Sequence, residues 1–184
     1  MIIKDKKQII SAFLIVLVLI ILSVFIIFFL KPKSVNNNLS INISSSEIMI
    51  NNKLPISDVL GKNIKESDEK QVYITISIKN KDIDDTTYQI YLTRNYLDEP
   101  QLKEKYVKLY LTDSKDKPLS GFEKNLIPTY KTLKSLNDKP SSKLLYEGNI
   151  SGKETQKLRL RVWIDDSYAL SDITESFDFD VDVR

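Results

Sequence analysis

The sequence predicts an all-β fold, an antiparallel β-sandwich of Ig-like or jelly-roll-like kind, preceded by one N-terminal transmembrane helix. Three observations carry this expectation. Apolar side chains recur at every second position in six separate stretches, polar turns divide those stretches, and a 22-residue apolar run without a charge stands near the N-terminus. No amphipathic helix of crossover length lies between the strands, which sets aside a parallel α/β sheet.

The apolar run is "IISAFLIVLVLIILSVFIIFFL", Ile9 to Leu30. At about 1.5 Å per residue a helix of this length covers the roughly 30 Å hydrocarbon core of a bilayer. Nineteen of its 22 residues are Ile, Leu, Val or Phe, and each favours insertion by roughly 0.3 to 0.6 kcal/mol at the helix centre. A cleaved signal peptide has a shorter apolar region followed by a small-residue cleavage site; here the run ends "FFLKPKS". A soluble core helix needs a polar stripe, and only Ser11, Ala12 and Ser23 break the run. Lys4, Lys6 and Lys7 precede the run and Lys31 and Lys33 follow it, so the positive-inside bias is slight. A short basic lead before an apolar run is the pattern of a signal anchor, which puts residues 1–8 in the cytoplasm and the body outside it.

Residues 31–46, "KPKSVNNNLSINISSS", read as a flexible stalk, with the domain proper at 47–184. "VYITISIKN" then places Val72, Ile74, Ile76 and Ile78 on one face of a strand. The same alternation returns in "TTYQIYLTR" (Tyr88, Ile90, Leu92), "VKLYLTD" (Val107, Leu109, Leu111), "LLYEGNI", "LRLRVWID" (Leu158, Leu160, Val162, Ile164) and "FDFDVDV". "NKDIDDT", "NYLDEPQ", "DSKDKP" and "SGKE" supply the turns between them. In "FEKNLIPTYKTLKSLNDKP" Pro128 argues against a central strand, and Leu126, Tyr130, Leu133 and Leu136 suit an irregular crossover or a short helical turn.

The chain carries a net charge of +2, but five of the 27 basic and only one of the 25 acidic residues fall in 1–33, leaving 22 and 24 in the rest, a net of −2. The basic residues there are interleaved with acids, and nucleic acid is not an expected partner. There is no Cys and no His. The absence of Cys is ordinary for Gram-positive extracytoplasmic domains. Three N-x-S triplets, at Asn38, Asn42 and Asn149, matter only in a eukaryotic secretory pathway.

Without His or Cys, catalysis is confined to Ser/Lys, carboxylate or Tyr chemistry. Ser67 and Lys70 have Ser-x-x-Lys spacing, but the S-D-N and K-T-G elements that accompany it in penicillin-recognising enzymes are absent. Asp82, Asp84 and Asp85 resemble the start of a calcium loop that lacks its Gly and its closing Glu. Asp178, Asp180 and Asp182 alternate with Phe177, Phe179, Val181 and Val183. Successive Asp on one strand face are about 6.8 Å apart, too far for one strand to supply the six to eight oxygens calcium takes. Asp165, Asp166, Asp172 and Glu175 lie near in sequence and would have to complete such a site. The row therefore reads as a wet strand face, with Arg159 and Arg161 or the Lys79 face beside it as cross-strand partners. Trp163 shares the parity of Arg159 and Arg161 rather than that of the apolar row. It is expected to be partly buried by a neighbouring side chain, the alternative being a ligand-stacking platform. No catalytic, cofactor-binding or metal-ligating residue is assigned, and no cofactor is expected.

The stretch "LLYEGNISGKETQKLRLRVWIDDSYALSDITESF" (144–177) resembles the C-terminal half of uncharacterised single-pass surface proteins of low-GC Gram-positive bacteria. Leu145, Tyr146, Gly148, Ile150, Gly152, Trp163, Ile164 and Asp165 carry the shared L-Y-x-G-x-I and W-[ILV]-D pattern. More remotely, an N-terminal hydrophobic segment followed by a β-sandwich resembles the TasA and camelysin-like matrix proteins, which a dedicated signal peptidase releases. The resemblance implies a β-domain at the cell surface and brings no catalytic residues.

The function expected from the sequence is a membrane-anchored extracytoplasmic β-sandwich, a non-enzymatic surface or structural interaction module. Its partners would be the lipid bilayer, through residues 9–30, and a protein at the cell surface. The second reading is a ligand-binding or adhesion domain that uses the Trp163 face.

Overall fold

A computed structural model of the chain describes residues 38–51, 53–68, 71–96, 101–123, 127–169 and 175–184. The predicted transmembrane segment 9–30 lies outside the described residues, as do the lead 1–8 and residues 31–37. Among the described residues no helix is long and apolar enough to cross a membrane.

The body, Asn36–Arg184, is one compact unit. Its described strands are β1 (Leu39–Ile43), β2 (Glu47–Ile50), β3 (Val72–Asn80), β4 (Thr86–Asn95), β5 (Val107–Asp113), β6 (Lys134–Ser135), β7 (Ser142–Ile150), β8 (Thr155–Ile164) and β9 (Phe177–Val183). A one-turn helix, α1 (Asp58–Lys62), lies between β2 and β3. The strands form two sheets, in the orders β1-β3-β8-β5 and β2-β9-β4-β7-β6. Every ladder between named strands is antiparallel. The all-β sandwich is thus present, and all six predicted strands are found.

Alternation explains the two layers. In the first sheet Ile74, Ile76 and Ile78 stand opposite Leu160, Leu158 and Gln156, and Leu109 and Leu111 opposite Val162 and Leu160. In the second sheet Phe177, Phe179, Val181 and Val183 of β9 share a face with Ile90 and Leu92 of β4 and Ile48 and Ile50 of β2. These rows form one buried core. Burying each such side chain stabilises by about 1.5 to 3 kcal/mol before conformational entropy is charged.

The long strands in chain order, β3, β4, β5, β7, β8 and β9, change sheet at every step. The turns "NKDIDDT" and "SGKE" therefore connect sheets, whereas "DSKDKP" first folds back on β5 through an antiparallel bridge between Thr112 and Pro118. The crossover 127–140 contains a single 3-10 turn, Tyr130–Thr132, whose Tyr130 is fully buried against Phe177.

The boundary at residue 47 needs correction. The segment read as stalk contributes strand β1, which pairs along β3 from Leu39 opposite Asn80 to Ile43 opposite Ile76. Its row Leu39, Ile41, Ile43 is apolar at period two, but Asn and Ser between those residues gave it the composition of a linker. Asn38 already belongs to the domain, since its carbonyl accepts from Lys81 N–H and its amide donates to Asp82 at 2.7 Å.

A fragment of residues 36–184 is expected to fold cooperatively, whereas one of residues 47–184 loses the cover of Ile76 and Ile78. We expect it to be less stable by at least about 2 kcal/mol, measured by urea unfolding; equal midpoints would show that β1 is dispensable.

Candidate functional site

The outward parity of β8 presents Arg159, Arg161 and Trp163, as the sequence indicates, but the structure covers two of the three. Trp163 is 1% exposed. The chain leaves β2, crosses to the first sheet, and is pinned where Ile56 N–H donates to the Ile164 carbonyl at 2.9 Å. It then forms α1 directly over the indole. Asp58 in the first turn and Lys62 in the last suit the helix dipole. Gly61 is required by close approach: a Cβ there would overlap the Trp163 indole carbons. The stacking-platform reading of Trp163 therefore fails, because the ring is the floor beneath a strap. α1 covers it, with Gly61 on the indole, and Lys108 stands opposite it on β5.

Two charged links hold the strap. Lys108 of β5 places Nζ 2.8 Å from Asp165 and 3.2 Å from Asp58. Burial pulls the Lys108 pKa down, but its hydrogen bonds to Asp165 and Asp58 outweigh this and raise it. Burial pushes Asp165 up, and the bonds it accepts from Lys108 and Ser167 win, holding it low.

Arg161 is the second link. Its side chain is 6% exposed. Nε donates to the Ile64 carbonyl at 2.8 Å, Nη1 to Thr112 Oγ1 at 3.0 Å, and Nη2 to Asp116 Oδ1 at 2.5 Å. Asp116 Oδ2 takes Arg159 Nη1 at 2.8 Å. The turn that presents Asp116 is built locally: Asp113 Oδ1 accepts from Lys115 N–H and Lys117 N–H, and Asp116 takes φ 62°, a left-handed conformation that Asp tolerates. Hydrogen bonds from Arg161 and then Arg159 hold the Asp116 carboxyl below its usual range.

Between α1 and this turn lies a cleft of about 450 Å³, walled by Val59, Ile64 and Tyr110 and by the charged residues Lys62, Lys65, Arg161 and Asp116. Its one carboxylate stays ionised and paired, so it is a poor proton acceptor; the cations suit it to holding an anion.

The acidic row of β9 is placed differently from expectation. β9 lies in the second sheet between β2 and β4, so Asp178 stands opposite Met49 and Asn95, and Asp180 opposite Glu47 and Thr93. Neither the Arg159–Arg161 row nor the Lys79 face is beside it, because β8 and β3 belong to the first sheet. Nor is the row uniformly wet: Asp178 is buried, while Asp180 accepts from Asn95 Nδ2 at 3.1 Å and Asp182 from Arg184 Nε at 2.6 Å. Among the described residues no group of three or more His, Cys, Asp or Glu is placed to hold a metal ion. Asp172 and Lys70 lie outside the described residues. Asp82 and Asp85 act in turns, Asp82 accepting from Ile83 N–H and Asp85 from Gly152 N–H.

Sequence reasoning missed an interior charge cluster. Arg94 extends the inward row Tyr88, Ile90, Leu92, and a bulge at Leu145 turns Lys143 inward opposite Leu92. Glu104 bridges them, at 3.3 Å from Arg94 and 2.6 Å from Lys143. Arg94 also stacks 4.5 Å over Phe177, and Lys143 donates to the Tyr130 carbonyl at 3.0 Å. The period-two signal for Arg94 was present in "TTYQIYLTR"; the bulge had none. The residues that carry the surface-protein resemblance serve packing, with Gly148 leaving room for the Tyr88 ring and Asp165 holding Lys108.

No protein-family model matches this chain, and no curated protein matches it significantly.

Replacing Gly61 with Ala is expected to cost about 1 to 3 kcal/mol through overpacking and to shift Trp163 emission to the red as the strap lifts. Denaturant unfolding followed by fluorescence checks both; wild-type stability and emission would contradict the packing described.

Proposed function

We propose that the protein is a membrane-anchored, extracytoplasmic interaction module and not an enzyme. The observation that carries this is the uncharged run Ile9–Leu30 ahead of a body with its own core. In this reading residues 9–30 hold the lipid bilayer, residues 1–8 stay in the cytoplasm, and the sandwich stands on the outer side of the cell membrane. The resemblance of residues 144–177 to Gram-positive surface proteins supports the same placement. The change of sheet at every long strand favours the jelly-roll-like over the Ig-like arrangement.

A protein partner is supported by apolar side chains that folding leaves in water. Leu54, Val59 and Leu60 are 63%, 66% and 61% exposed within seven residues of the strap. Exposed apolar residues concentrated in this way are characteristic of contact surfaces. The non-enzymatic reading is supported by the cleft chemistry, in which Arg159 and Arg161 occupy the single carboxylate.

Protease added to intact cells expressing the full chain is expected to release the sandwich with its new N-terminus between residues 31 and 38. Complete protection on intact cells, with digestion after lysis, would overturn the topology.

A further inference from the structure

We propose that the cleft between α1 and the Asp113–Lys117 turn binds the phosphate group of a small organic ligand. This goes beyond the interaction module proposed above by naming a ligand class, and it rests on the geometry of the domain alone.

Charge comes first. Lys62, Lys65 and Arg161 line the cleft, Arg159 adjoins it, and Asp116 is the one carboxylate among the lining residues. Asp116 bridges both guanidinium groups, and Asp113 adds a second negative charge near Arg159. A phosphate monoester brings about −1.5 to −2 at pH 7 and several acceptor oxygens, so guanidinium and ammonium donors hold it more strongly than a monocarboxylate.

Geometry comes second. Arg161 is locked by the Ile64 carbonyl, Thr112 and Asp116, and these contacts engage three of its five N–H donors. A guanidinium fixed in this way is organised for an oxyanion before the ligand arrives, which removes much of the ordering cost of binding. Asp116, held at positive φ and half exposed, acts as an internal stand-in for the ligand's negative charge.

Shape comes third. A cleft of about 450 Å³ falls within the range of small-molecule sites. Val59 and Tyr110 give it an apolar wall for the organic part of the ligand.

The test uses the purified full chain in a nonionic detergent, titrated calorimetrically with phenyl phosphate, phenylacetate and phenol. Saturable binding of phenyl phosphate is expected, with phenylacetate weaker and phenol not binding. In the Lys62→Ala/Lys65→Ala variant the affinity should fall by about tenfold or more, with thermal stability retained. Asp116→Asn should bind phenyl phosphate more tightly, because it removes the competing charge and keeps a residue that accepts positive φ. Absence of saturable binding, an unchanged affinity in the double-lysine variant, or phenylacetate binding as tightly as phenyl phosphate would each overturn the proposal. Binding is read on purified protein, so its failure leaves the membrane topology untouched, and the reverse also holds.

Discussion

Arg161 is the interaction on which the outer face of the first sheet depends. It projects from a central strand on the side away from the core, yet its side chain is almost wholly buried. A buried charge without partners is prohibitively costly, so it persists only where hydrogen bonds and a counter-ion meet it. Here they come from three separate segments: the end of the strap at Ile64, strand β5 at Thr112, and the following turn at Asp116. One side chain therefore ties together two segments that the backbone, among the described residues, otherwise joins to the sheet only through the isolated bridges Ile56–Asp165 and Thr112–Pro118. The cleft is the space left between them.

The strap carries little apolar burial of its own. Gly61 and Ile64 face inward, while Leu54, Val59 and Leu60 face water. What it covers is large: the indole of Trp163, whose Nε1 finds no hydrogen-bond partner among the described residues. An unsatisfied buried donor costs about 1 to 3 kcal/mol, which offsets part of the gain from burying the ring. The polar links through Arg161 and Lys108 hold the strap down against that cost. A second charge cluster, Arg94–Glu104–Lys143, lies among the inward-facing residues of the second sheet, its cations laid against Phe177 and Tyr130. Both clusters place one carboxylate between two cations.

Strand identity was legible because period-two alternation reports which side chains face a core, and six such rows were long enough to stand out. Sheet membership was not legible, since alternation says nothing about which strand lies beside which. That is why alternation alone suggests Arg159 and Arg161, or the Lys79 face, as neighbours of the Asp178–Asp182 row, whereas the partner of both arginines is Asp116, in a turn 45 residues from Arg161 in sequence. β1 was hidden by its polar residues, and Lys143 by a bulge that reverses parity. The outward phase of Trp163 was correct, but a glycine at position 61 gives no signal that it will lie on an indole 102 residues later. The cleft was illegible for the same reason: its walls come from α1, β5, β8 and a turn, joined only by the fold.

Native-state hydrogen exchange on Arg161→Met tests the central role of Arg161 most directly. Methionine keeps the length of the stem and removes the guanidinium. If Arg161 holds the strap, the amides of Ile56 and Gly61 should lose protection by about tenfold or more, while those of β4 and β9 in the other sheet stay near wild type. Unchanged exchange at Ile56 and Gly61, or an equal loss of protection across both sheets, would contradict the account.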